Sequence, residues 1–246
     1  MNQPIADDIV AQLEALGIRR DTYALKPTPR IQKFIAQRLG EAAREVPSFP
    51  LTMHVRLDAL LAARKGWNAG HDARVSVNDL LVKASAASLM ALPAVNSSFT
   101  PVGLVAHRHA DISIAVATDG GLMTPIVRAA DTKSVTDISA ETRDLAARAR
   151  IGRLQPDDYV GGTFTVSNLG MFGVSSFGSI INPPQSAILS VGAAEERVVS
   201  RGGGFVAETM MTLTMTCDHR IIDGATGARW LADLRDRLEA PDALFG

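Results

Sequence analysis

The sequence predicts an α+β fold: a mixed, mainly antiparallel sheet with helices packed on it. Three observations carry this. Segments of period-two and helical hydrophobic periodicity follow one another without a regular βαβα rhythm, so a doubly wound parallel sheet is not implied. The segment "MMTLTMTCDH" (210–219) alternates throughout, with Met211, Leu213, Met215 and Cys217 on one face and Thr212, Thr214, Thr216 and Asp218 on the other. The helical segments carry apolar residues on one side, as helices lying on a sheet do.

In chain order, residues 5–17 read as a short helix with Ile9, Leu13 and Leu16 on one face and Gly17 as its stop. "KPTPR" (26–30) interrupts as a linker, and a second helix spans 31–45 with Ile31, Ile35 and Leu39 at four-residue spacing. Leu51, Met53, Val55 and Leu57 alternate with polar residues in a strand, and Asp58 caps a short helix through Lys65. Residues 74–96 form a strongly apolar helix, capped at Ser76 or Asn78 and closed before Pro93. Two strands, 111–118 and 124–128, flank the turn "DGG" (119–121). An amphipathic helix covers 137–150, with Ser139 or Asp137 as its cap. "TFTVS" (163–167), "AILSVG" (187–192) and 210–219 are strands, "RGGGF" (201–205) is a hairpin turn, and Gly224 to Leu238 is the final helix.

The bulk properties exclude several classes. Lys+Arg number 25 and Asp+Glu 26, which offers no field for nucleic acid or an anionic membrane. No segment approaches the roughly 18–20 apolar residues of a membrane span, and the acidic N-terminus lacks the apolar core of a secretion signal. The single cysteine, Cys217, rules out an intrachain disulfide and suits a reducing compartment, so a cytoplasmic protein is expected. The C-terminal "APDALFG" is either a frayed end or an apolar tail.

Few residues carry chemistry. His219 stands at a strand end between Asp218 and Asp223, and the strand's phase points its ring inward with Cys217 and Met215. It reads either as a held general base or as a structural histidine in a turn. His54 faces outward. His107 and His109 lack the further ligands of a metal site and read as hairpin surface, so no metal is expected. Cys217 reads as a small buried hydrophobe. Glycines and serines crowd "GGTFTVSNLGMFGVSSFGSIINPPQ" (161–185), which suits close backbone approach to a ligand or a partner chain.

Two segments then match one family together. "DHRIIDG" (218–224) resembles the DHRxxDG signature of the 2-oxo acid dehydrogenase acyltransferases, the E2 components, which share a fold with chloramphenicol acetyltransferase. "GGTFTVSNLGMFGVSSFGSIINPPQSAILSVG" resembles that family's second hallmark, and the similarity runs in order through about residues 26–246. The resemblance implies an acyltransferase catalytic domain over 26–246, preceded by a short helical arm and linker (1–25), without a lipoyl domain or a complete peripheral-subunit-binding domain. It implies His219 as the base that takes a thiol proton and Ser167 as donor to the oxyanion. Asp223 would fix the local fold and the histidine, usually through an arginine salt bridge, with Arg38 as the candidate arginine.

The resemblance also implies a homotrimer with the active channel between subunits, possibly assembled into a larger cage through an apolar tail to which Leu244 and Phe245 belong. Coenzyme A or acyl-CoA would be a substrate, and the residues that contact it are not assigned. With no lipoyl segment in the chain, the dihydrolipoyl group is expected in trans, on a lipoyl-carrying protein associated with a thiamine-dependent dehydrogenase. Two other readings stay open: a stand-alone CoA-dependent acyltransferase acting on a carrier-protein thiol, an amine or a hydroxyl, and a structural core of a dehydrogenase complex.

Overall fold

The computed structural model describes residues 6–20, 22–118 and 121–245. It divides into two bodies, residues 1–38 and 39–246. In the first, helix α1 (Asp7–Ala15) begins with Asp7 and Asp8, whose charge complements the positive end of the helix dipole. It closes where Gly17 and Ile18 return hydrogen bonds to Glu14 and Leu13, so the expected stop at Gly17 holds. Helix α2 (Arg30–Glu45) follows and runs on into the second body.

The second body contains β1 (Ser48–Arg56), α3 (Asp58–Gly70), α4 (Val77–Ala91), β2 (Ser97–Thr100), β3 (Gly103–Ala106), β4 (Ile112–Ile114), β5 (Val116–Thr118), β6 (Gly121–Met123) and β7 (Ile126–Val127). Then come α5 (Val135–Arg150), α6 (Pro156–Tyr159), β8 (Phe164–Asn168), β9 (Ala187–Arg201), β10 (Gly204–Asp218) and α7 (Gly224–Glu239). Six strands form one sheet in the order β1-β10-β9-β8-β4-β7. The β1, β10 and β9 pairings are antiparallel, β8 runs parallel to β9 and β4, and β7 closes antiparallel. The expected mixed α+β architecture is the one observed.

One face of this sheet is the core. Leu189, Val191, Leu213, Met215, Phe164 and Ile112 point to it and are covered by α4 and α7, with Trp230 of α7 against Phe164 at 5.0 Å between ring centroids. Each such side chain contributes about 1.5–3 kcal/mol on burial. Helix α4 is buried on several sides because it lies between sheet, α5 and α7, which explains its apolar run. Its start is the expected Ser76, in a capping box with Asp79.

The opposite face carries hydroxyls: Thr52, Thr212, Thr214, Thr216, Ser190, Thr165 and Ser113. The chain between β8 and β9 folds back across it. Val174 accepts from the Ala193 amide at 2.8 Å, and the Ser179 and Ser190 hydroxyls meet at 2.7 Å. Thr212, Thr214 and Thr216 are therefore buried although they lie on the polar side.

Several expectations need correction. Helix α5 starts earlier than expected and is capped by Ser134, which accepts from the Asp137 amide. Ser139 is instead buried and donates to the Arg74 carbonyl. The strand expected over 111–118 splits: β4 stays in the large sheet while β5 leaves it to pair with β6. Residues 119 and 120 of the turn expected at 119–121 lie outside the described residues. Strands β9 and β10 extend well beyond the expected segments as one ribbon, closed by Gly202 and Gly203 at φ +59° and +83°. Through Phe245 the tail does not fray: Leu244 is only 3% exposed within its own core, and Phe245 leans on Trp67. No helix among the described residues is long and apolar enough to cross a membrane.

The folded-back segment sets a testable limit. A Cβ on Gly192 would lie 2.0 Å from the Ser175 carbonyl oxygen, a backbone atom that cannot step aside. Gly192→Ala is expected to cost about 1–3 kcal/mol in urea unfolding. Gly66→Ala, inside α3 with nothing within 4 Å, should instead stabilise by about 0.5–1 kcal/mol.

Candidate active site

Ser167 and His219 reach their positions by different routes. Phe164 and Val166 point into the core, so Thr165 and Ser167 face the hydroxyl side. Ser167 is half-buried there, and among the described residues its hydroxyl has no hydrogen-bond partner. Its neighbour Asn168 turns the chain by accepting the Gly170 amide at 2.9 Å. The serine is thus held on a strand with its O–H uncommitted.

His219 follows the last residue of β10, and the structure corrects its expected orientation. The strand ends at Asp218 and residues 219–221 form a turn, so strand alternation no longer governs the ring. The imidazole is exposed in the single chain. Its amide donates to the Pro47 carbonyl at 3.0 Å and its ring lies 4.6 Å from that of Phe49.

The two flanking carboxylates are engaged elsewhere. Asp218, 2% exposed, accepts from the Arg220 amide and Nε at 3.0 Å each and from Nη2 at 2.7 Å. The Arg220 guanidinium also sits 4.2 Å over the Phe99 ring. Asp223 caps α7, accepting the Thr226 amide at 2.6 Å. That amide hydrogen bond, joined by the Thr226 side chain and by nearby Arg229, holds its carboxyl below the usual carboxylate range. The Arg220 clamp was not foreseen from the sequence, although an acid and an arginine two residues apart in a polar turn were a visible signal.

The other candidates fall as expected or find local partners. Cys217 is fully buried and its thiol is pushed up to about 12 by that burial, which makes it a poor nucleophile. His54 is exposed and shares Nδ1 with Thr212 and Arg197. His107 meets the Ser98 hydroxyl at 2.8 Å and its pKa is lowered by burial, whereas His109 turns to Asp131 at 3.2 Å. Among the described residues, no group of three or more His, Cys, Asp or Glu side chains is placed to hold a metal ion.

The sheet register fixes the distance between serine and histidine. Ser167 is level with Ser190, and Ser190 with Thr214. His219 lies five residues further along β10's direction and two strands across. That amounts to roughly 19 Å between Cα positions, at about 3.3 Å per residue and 4.8 Å per strand. A serine and a histidine side chain pointed at one another span less than half of that, and hydrogen-bond reach is about 3 Å, so the two groups of one chain do not reach a common reacting atom.

The profile of the 2-oxoacid dehydrogenases acyltransferase (catalytic domain) family matches residues 21–246. The chain belongs to this family. It is 45% identical over 222 residues to the dihydrolipoyllysine-residue acetyltransferase component of the mitochondrial pyruvate dehydrogenase complex of Dictyostelium discoideum, covering 89% of this chain and 35% of that protein. It is 42% identical over 244 residues to the corresponding component of Rhizobium meliloti, covering 96% and 54%. The chain thus spans between about a third and a half of the length of these relatives.

Among solved structures, the dihydrolipoamide acetyltransferase of Azotobacter vinelandii superposes with a TM-score of 0.87 at 32% identity, covering 98% of both chains. That structure addressed the catalytic role of one serine, one histidine and one asparagine. A cubic core of the pyruvate dehydrogenase multienzyme complex superposes with a TM-score of 0.86, also at 32% identity and 98% of both chains. A chloramphenicol acetyltransferase, 16% identical over 86% of this chain and 96% of its own, superposes at 0.55 and shows the shared fold.

Two outcomes test the local chemistry of this acyltransferase-family site. A thiol-reactive chromogenic reagent should leave Cys217 unlabelled in the native protein and label one thiol per chain in denaturant. Because the Asp223 pKa is depressed on folding, its stabilising contribution is present above the unfolded value of about 3.9 and is lost as pH falls through the folded one. The thermal-midpoint gap between wild type and Asp223→Ala should therefore be full near neutrality and narrow below about pH 4. Asp223→Asn, which also caps, should keep most of the stability throughout.

Proposed function

We propose that the chain transfers an acyl group between coenzyme A and a dihydrolipoyl thiol, with the reacting groups drawn from two subunits of a homotrimer. His219 takes the proton from the attacking thiol as sulfur bonds to the thioester carbonyl carbon. The carbonyl oxygen becomes an oxyanion and accepts a hydrogen bond from the Ser167 hydroxyl. The intermediate collapses by breaking its original carbon–sulfur bond, and protonated His219 returns the proton to the leaving sulfur. No covalent acyl-enzyme is needed. A free thiol, with a pKa of about 8.5, is mostly protonated at neutral pH, which is why a base is required. Asp223 acts by starting α7 just beyond the histidine turn.

The observation that carries this reading is the separation of Ser167 and His219 within one chain, together with their spacing in sequence. In the Azotobacter vinelandii protein the serine and histidine are 52 residues apart and the asparagine lies four residues beyond, the intervals that separate Ser167, His219 and Asp223 here. A base and an oxyanion donor that cannot meet in one chain meet when the histidine end of one subunit faces the Ser167 face of the next. The relatives' names make acetyl the first acyl group to test and point to a lipoyl-carrying protein and a thiamine-dependent dehydrogenase as partners. A cytoplasmic setting fits the bacterial relatives.

Acetyl transfer from acetyl-CoA to dihydrolipoamide is the direct assay. His219→Ala and Ser167→Ala should each lower kcat by about 10²-fold or more. Trimers reassembled from an equal mixture of the two inactive variants should regain up to about a quarter of wild-type activity, because some interfaces pair an intact serine with an intact histidine. No recovery in verified mixed trimers would reject the shared site. Turnover with amines or other thiols but none with dihydrolipoamide would reject the lipoyl acceptor.

A further inference from the structure

Helices α3, α4 and α5 enclose a cleft of about 450 Å3, within the range of small-molecule sites. Arg64, Arg74, Arg143 and Arg150 line it, with Asp79 as the one acid among its lining residues. That acid is already engaged, since its carboxylate accepts the Ser76 amide at 2.7 Å to close the α4 capping box. Among the described residues none of the four arginines has a carboxylate within 4.0 Å, whereas Arg56, Arg128, Arg148, Arg197 and Arg220 each do. A concave wall of guanidiniums without carboxylate partners, two of which (Arg64 and Arg143) also donate to backbone carbonyls, is a local excess of positive charge in a chain whose net charge is −1, and an anion would relieve it.

The wall is held in shape. Asn68 binds both the amide and the carbonyl of Val75, at 2.8 and 3.0 Å. The Arg74 carbonyl accepts from Ser139 at 2.9 Å and from Arg143 at 3.1 Å. The Arg74 side chain therefore stands on a pinned backbone, and the start of α4 adds its own positive end. Two polar atoms of lining residues, Arg64 Nε and Thr142 Oγ1, are shielded from solvent without a hydrogen-bond partner. All four cations are arginines, whose planar forks pair with phosphate through two parallel hydrogen bonds.

We infer that this cleft binds an organic phosphate of about nucleotide size, with its phosphate groups gripped by the four arginines. It is built on helices of the core side of the sheet, whereas Ser167 points from the opposite face, so its ligand is held away from that hydroxyl in the same chain.

Calorimetric titration with ADP and with pyrophosphate tests the site without reference to turnover. Both should bind wild type at low salt, and the double variant Arg74→Gln/Arg150→Gln should weaken binding at least about tenfold. Both side chains are exposed, so the fold should survive; an unchanged thermal midpoint verifies this, and the single variant Arg150→Gln serves if it does not hold. Arg235→Gln, which breaks a surface pair with Asp236, should bind like wild type. Displacement of ADP by coenzyme A would identify the nucleotide end of a thioester as the occupant, and failure to displace it would identify a separate phosphorylated effector. No binding of either probe at millimolar concentration, or equal binding by the double variant, overturns the inference.

Discussion

From Met211 to Asp218 strand β10 is hydrogen-bonded along both edges and covered on both faces, and most of the architecture follows from that double burial. A one-residue slip would drive Thr214 into the helix-side core and press Leu213 against the segment that crosses the other face. The register is therefore fixed by opposite demands: hydrocarbon packing on one side, hydroxyls and a folded-back chain on the other. Because β9 and β8 are stacked onto the same register, the level of Ser167 follows from the pairing of Thr214.

Where the strand ends, two carboxylates take over. Asp218 is buried and must be compensated, and the residue that compensates it is only two positions away. Closing that short clamp turns the chain and leaves His219, the residue between, facing outward. Four residues beyond the histidine, Asp223 satisfies an otherwise unpaired amide of α7 and fixes where the helix begins. The acids around the histidine thus set its direction through the backbone, and neither serves as its hydrogen-bonded orienting group.

This arrangement gives the proposed reaction its dependence on assembly. One chain carries the His219 imidazole past the end of β10 and the Ser167 hydroxyl near the end of β8. The paired register of β8, β9 and β10 holds them apart. On the proposed reading, a chain with this layout completes its site only with a second copy of itself.

Much of this was legible in the residues. The alternation of 210–218, the Ser76 cap, the Gly-rich hairpin at 201–205 and the inert Cys217 are consequences of local periodicity and of what a single residue tolerates, and each was found where expected. The split of 111–118 was not legible, because Ile112, Ile114 and Val116 read as one strand until competition for edge partners divides them between two sheets. The Ser134 cap was missed because Ser139 and Asp137 are equally good caps in isolation, and Ser139 was claimed by the Arg74 carbonyl 65 residues away. The direction of His219 depended on where strand pairing stops. Residue types and their spacing settle which groups are available for chemistry. Their distances and orientations depend on long-range register and on the burial of one aspartate, which no local pattern encodes.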